Sequence, residues 1–159
     1  RERDDIIKDR FDRIIEKSIV LDLKGPVKME TFFGTIAKEL ASKLEIEANQ
    51  ILALLMEREK QASTVLSPSL AIPHMVLPGE NIFIILMARC REGIVFPGAG
   101  DPVNMVFVIA GTKDERTFHL RALSTIAQIV ENPNFREKWM KAEDPEALRD
   151  LILLGKRER

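Results

Sequence analysis

The chain has 159 residues, 45% of them hydrophobic, which suits one compact domain with its own core. Its 24 Lys and Arg stand against 25 Asp and Glu and are dispersed except at the two ends, so no basic field favours nucleic acid. A single cysteine, Cys90, excludes an internal disulfide and a cysteine-built zinc site, and no apolar run approaches the roughly 18 to 20 residues of a bilayer span.

Apolar residues Ile6, Ile7, Phe11, Ile14 and Ile15 recur at helical spacing and predict an amphipathic helix from about Asp4 to Lys17. A β-branched strand, Ile19 to Leu23, follows and stops at Lys24-Gly25-Pro26. The stripe Phe32, Phe33, Ile36, Ala37, Leu40 predicts a helix from Met29 to Leu44, and a second runs from about Ile46 to Lys60. Gln61 to Glu80 reads mostly as loop around the short apolar run Leu70 to Pro73. Ile82 to Ala88 and Met105 to Ala110 read as strands buried on both faces, separated by a turn-rich segment from Phe96 to Pro102. Three helical segments close the chain, one spanning about Glu115 to Glu131 and two starting at Asn132-Pro133 and Asp144-Pro145, each a capping residue followed by Pro.

This order predicts a three-layer α/β sandwich, a mixed sheet of three to five strands flanked by helices on both faces. It is read as one domain over residues 1–159. Residues 1–8 read as a linker or helical extension from a longer protein, because the chain starts at Arg1 and both ends are charged. Solvated termini explain the same charges.

Two histidines occur, His74 and His119. Pro73 has a fixed φ and no N–H, so it stiffens the chain just before His74 and suits presentation of a nucleophile at a sheet rim. Taken alone, an ordinary loop histidine is the commoner explanation. His119 falls in the first turn of a helix whose expected stripe is Leu120, Leu123, Ala127 and Val130. A helix N-terminus disfavours imidazolium and favours anions, so His119 suits contact with a phosphoryl group, and a surface position fits equally well. Arg58 sits in the charged helix end Glu57-Arg58-Glu59, ordinarily a solvated surface, although a guanidinium also binds phosphoryl oxygens bidentately. Cys90 precedes Arg91, and a basic neighbour lowers a thiol pKa, yet a plain strand-end cysteine is the commoner case. Nucleotide-binding loops, nucleophile elbows and zinc motifs are absent from the sequence.

The helix end Leu55 to Glu59, then Ser63-Thr64 and Leu70-Ala71-Ile72-Pro73-His74, resembles the Arg-Glu and Ala-Ile-Pro-His block of the mannitol/fructose-type (type 2) enzyme IIA of the bacterial phosphoenolpyruvate-dependent sugar phosphotransferase system. That family includes a nitrogen-regulatory branch. Gly93-Ile94-Val95-Phe96, the run Pro102 to Ala110, and His119-Leu120 with Leu123 continue the resemblance, which covers roughly Asp9 to Leu153. It departs in two loops, Val65 to Ser69, where the family often carries glycines, and Pro97 to Asp101, where the family has an acidic segment.

The resemblance implies His74 as the phosphorylated histidine, His119 as the second active-site histidine and Arg58 as the active-site arginine. It implies transfer from the phosphohistidine of the carrier protein HPr to an enzyme IIB, in the cytoplasm, with no metal or nucleotide cofactor and membrane contact only through a partner or fused domain. An imidazole attacks phosphorus when neutral, and catalysis of this kind is chiefly alignment plus donors aimed at the equatorial oxygens. The alternative is a regulatory module, docked on or fused to a transporter or other protein, that signals by its phosphorylation state.

Overall fold

The computed structural model describes residues 7–159. The first helix, α1, spans Arg10–Glu16 and starts at a capping box, in which Asp9 accepts from the Asp12 N–H and Asp12 from the Asp9 N–H. This cap starts the helix at Arg10, and residues 7–9, expected to be helical from the apolar spacing, precede it without helical structure. The expected turn over residues 4–6 lies outside the described residues. Strand β1 (Ile19–Leu23) matches expectation and is followed by β2 (Val27–Lys28), α2 (Met29–Ala41) and α3 (Ala48–Gln61).

The expected loop from Gln61 to Glu80 instead contains three short strands, β3 (Val65–Ser67), β4 (Leu70–Ala71) and β5 (His74–Leu77). Each is too short to show a sequence period; β4 and β5 are ordered by pairing with the distant β7, and β3 by pairing with β4. Strands β6 (Phe83–Val95) and β7 (Val103–Thr112) form the centre. A single 3₁₀ turn, Lys113–Glu115, leads into α4 (Arg116–Val130), followed by α5 (Phe135–Lys141) and α6 (Pro145–Leu153).

The described strands form one seven-stranded mixed sheet in the order β1-β6-β7-β4-β3, with β2 also on β6 and β5 also on β7. β6 and β7 are antiparallel; β1 and β2 run parallel to β6, and β4 and β5 parallel to β7. The pairings Leu70↔Met105 and His74↔Ile109 keep one register across Pro73, just as Ile19↔Leu86 and Val27↔Ile94 do across Gly25-Pro26. Seven strands therefore occupy five rows, against the three to five strands expected, because the short ones carry no period of their own.

β7 shows why its run looked continuously apolar. Val106, Val108 and Ala110 face a core with Phe32, Phe33, Ile36, Leu40 and Ile51, while Met105, Phe107 and Ile109 face a second core with Ile126, Ile129, Trp139, Leu148 and Ile152. Alternate residues point to opposite faces, and helices cover both, so no position from Met105 to Ala110 is left polar.

β6 outruns its expected end at Ala88 because Arg89, fully buried in mid-strand, is neutralised. Its guanidinium binds both Asp22 oxygens, at 2.9 and 2.6 Å, and donates to the carbonyls of Trp139 and Ala142 at the end of α5. Cys90 is likewise inside the strand, with no exposed surface, and burial pushes its thiol pKa up. Its sulfur lies where a Cβ on Gly25 (φ +75°) would stand, 2.5 Å away, so that turn needs glycine twice over.

At the third closing helix, Asp144 caps as expected, accepting from the Ala147 N–H at 2.8 Å with Pro145 first. At the second, α5 starts after Asn134, with Asn132-Pro133 spent in the preceding turn, where the Asn132 carbonyl accepts from the Phe135 N–H. No helix among the described residues is long and apolar enough to cross a membrane.

Candidate functional site

His74, Arg58 and His119 come from three separate elements and meet at one end of the sheet, in a cleft of about 420 Å³. His74 is the first residue of β5, Arg58 lies in the last turn of α3, and His119 is the fourth residue of α4. β5 and β7 run parallel, so the carboxyl end of β7 delivers α4 beside the strand that carries His74. Such strand ends are the usual ligand positions of α/β sheets.

Both ring nitrogens of His74 are assigned by their partners. Nδ1 lies 2.9 Å from the Ile72 carbonyl, which only accepts, so Nδ1 carries the proton. Nε2 is then the nitrogen with the free electron pair, and the Arg58 Nη2 donates to it at 3.0 Å. The other guanidinium arm, Nη1, donates to the Ala62 carbonyl at 2.9 Å. Ile72 precedes a proline, a position biased toward extended backbone, which suits turning its carbonyl toward the ring two residues on.

His119 stands edge-on to His74, with ring centroids 5.3 Å apart and planes at 77°. Its pKa is lowered to about 4, first by burial and then by the charges of His74, Arg116 and Arg58. The ring is therefore neutral at pH 7. The expected stripe of α4 is rotated: Ala122, Ile126 and Ile129 form its buried line, and Leu120 is 52% exposed on the cleft side. This rotation is what turns His119 into the cleft.

Several contributors were not legible as site residues. Phe83 packs against Phe118 at 4.8 Å and against the His119 ring at 6.3 Å, and Lys113 and Arg116 add positive charge to the cleft wall. Phe83 lies over Gly111, where a Cβ would come within 2.8 Å of its ring. No motif marks these residues; the β6–β7 register sets Phe83 opposite Gly111, and the turn after β7 brings in Lys113 and Arg116. Cys90 lies outside the residues that line this cleft.

The family model for the phosphoenolpyruvate-dependent sugar phosphotransferase system, EIIA 2, matches residues 14–154. A nitrogen regulatory protein of Bradyrhizobium diazoefficiens is 30% identical over 122 residues, 74% of this chain and 80% of that one. A fructose-specific EIIABC component of Bacillus subtilis is 30% identical over 99 residues, 62% of this chain, and the match spans only 16% of that longer protein. Among solved structures, the nitrogen regulatory protein IIA-Ntr of Neisseria meningitidis superposes with a TM-score of 0.81 at 25% identity, covering 91% of this chain and 99% of that one. By fold and by sequence, this chain belongs to the EIIA 2 family of the phosphoenolpyruvate-dependent sugar phosphotransferase system.

Proposed function

We propose that the chain accepts a phosphoryl group on Nε2 of His74 from the phosphohistidine of HPr and passes it to an enzyme IIB. The observation that carries this reading is the pair of bonds on His74: Nδ1–H held by the Ile72 carbonyl and the electron pair on Nε2 met by Arg58. In the transfer, the Nε2 electron pair forms a bond to phosphorus as the bond between phosphorus and the donor imidazole breaks, its electrons returning to the donor nitrogen. The ring of His74 then carries positive charge, which the Nδ1–H bond to the Ile72 carbonyl stabilises.

Arg58 occupies the line of attack at rest, so it swings from the Nε2 electron pair to the phosphoryl oxygens as the donor arrives. There its planar fork matches two oxygens at once. His119, neutral and edge-on, offers a ring nitrogen to a third oxygen without first losing a hydration shell. Charge in this loose transition state is spread over the equatorial oxygens, so these placed donors supply most of what the reaction needs.

Incubation with phosphorylated HPr should add one acid-labile phosphate, and His74→Ala should abolish it; phosphate retained by that variant would sink the assignment. Onward transfer to an enzyme IIB follows the A, B and C components joined in the name of the Bacillus relative. A second reading, a regulatory module signalling by its phosphorylation state, is favoured by the superposition on IIA-Ntr over nearly its whole length. Phosphorylation by HPr without transfer to any IIB would select it.

A further inference from the structure

The two settings of His74, its Nδ1 proton and the guanidinium on Nε2, trace back to one polar clasp that lies behind the cleft wall. Glu59, the residue after Arg58, accepts from the Thr64 backbone N–H at 2.8 Å and from the Thr64 hydroxyl at 2.6 Å. Thr64 is buried, at 2% exposure, although it sits in the segment joining α3 to β3. Its own carbonyl accepts from the Ile72 N–H at 3.0 Å, and the Ile72 carbonyl in turn takes the His74 Nδ1–H. On the other side of the clasp, Ala62 lies within the loop that the Glu59–Thr64 bonds close. Its carbonyl is the anchor of Arg58 Nη1.

We propose that Glu59 and Thr64 are positioning residues for the phosphoryl acceptor, setting the tautomer of His74 through Ile72 and the reach of Arg58 through Ala62. The proposal rests on the reading of His74 as the phosphoryl acceptor, but the tautomer it predicts exists before any phosphate arrives. A solvated Glu59 in a charged helix end would leave Thr64 free to move, and with it both carbonyls. Two charge-assisted bonds from one carboxylate hold that turn instead. Neither residue lines the cleft, so neither touches the phosphoryl group.

The test compares Thr64→Val, which keeps the shape and removes the hydroxyl, with Thr64→Ser, which restores it. Glu59 is only half-buried. Glu59→Ala therefore serves as a second variant that does not disturb the core. Nitrogen NMR of the unphosphorylated chain, labelled in histidine, reads the tautomer directly. The native chain should show a protonated Nδ1 and an unprotonated Nε2 on His74. Thr64→Val and Glu59→Ala should show a mixed tautomer, and Thr64→Ser the native pattern.

Phosphorylation by HPr should slow about ten- to a hundredfold in the first two variants, in kcat with little change in KM, because misplacement costs rate more than encounter. A native tautomer and native rate in folded Thr64→Val, or in Glu59→Ala, would overturn the proposal. A changed tautomer in a chain that HPr never phosphorylates would uphold the clasp and reject the phosphotransfer reading.

Discussion

At the scale of single residues, the site depends on which histidine is charged and when. His119 is held neutral, with a pKa near 4, because burial and three nearby positive or titratable groups oppose its protonation. A phosphoryl group on His74 places negative charge beside the same ring, and a nearby opposite charge favours the protonated form. Proton NMR titration should therefore find His119 near pH 4 in the unmodified chain and well above that once His74 is phosphorylated. A midpoint near the ordinary value of about 6.5 in the unmodified chain would contradict the burial argument.

The same shift sets a stability window. Between about pH 6.5 and pH 4 the unfolded chain binds a proton at this residue and the folded chain does not, so stability falls as pH falls through that range. Urea midpoints of His119→Gln should vary less with pH there than those of the native chain; parallel curves would count against the shift.

At the scale of elements, β6 depends on an ion pair that its sequence hides. Arg89 is fully buried against Asp22 while also holding the last carbonyls of α5. Removing one partner of such a pair strands the other, so Arg89→Ala should cost about 3 to 5 kcal/mol in chemical denaturation. A loss under about 1 kcal/mol would mean that water reaches Asp22 freely. Asp144→Ala, by contrast, removes one cap bond and should cost about 1 kcal/mol. Gly111→Ala is a further probe: the added methyl drives Phe83 off β7 and, through Phe83, disturbs His119. It should lower the phosphorylation rate more than it lowers stability, measured side by side.

These elements also mark what was readable beforehand. Amphipathic helices and the two central strands carry their signal in their own residues, so Phe32, Phe33, Ile36, Ala37 and Leu40 announced α2, and the run Met105 to Ala110 announced β7. The short strands β3, β4 and β5 carry none, since pairing with β7 rather than local preference orders β4 and β5. Of the candidate site, His74, Arg58 and His119 were singled out through the Ala-Ile-Pro-His block and the order of its companions, and the structure brings the three into one cleft. Glu59, Thr64 and Phe83 were not, because what each does depends on a contact made across the fold.

At the scale of the whole molecule, the sheet separates two cores and gathers the three site residues at one end, each delivered by a different structural boundary: a helix end, a strand start and a helix start. The C-terminal segment packs on α1, where Arg157 lies over the Phe11 ring at 5.0 Å and binds Asp9 and Asp12. None of Arg157, Phe11, Asp9 and Asp12 lines the His74 cleft, so substitutions at the half-buried His74 and Arg58 should change phosphotransfer and leave this contact in place.

The most direct test of the account is nitrogen and phosphorus NMR of the histidine-labelled chain after phosphorylation by HPr. A single phosphoryl group bonded to Nε2 of His74, with Nδ1 still protonated, is the predicted result. Phosphate on Nδ1, on His119 or on no histidine would contradict it.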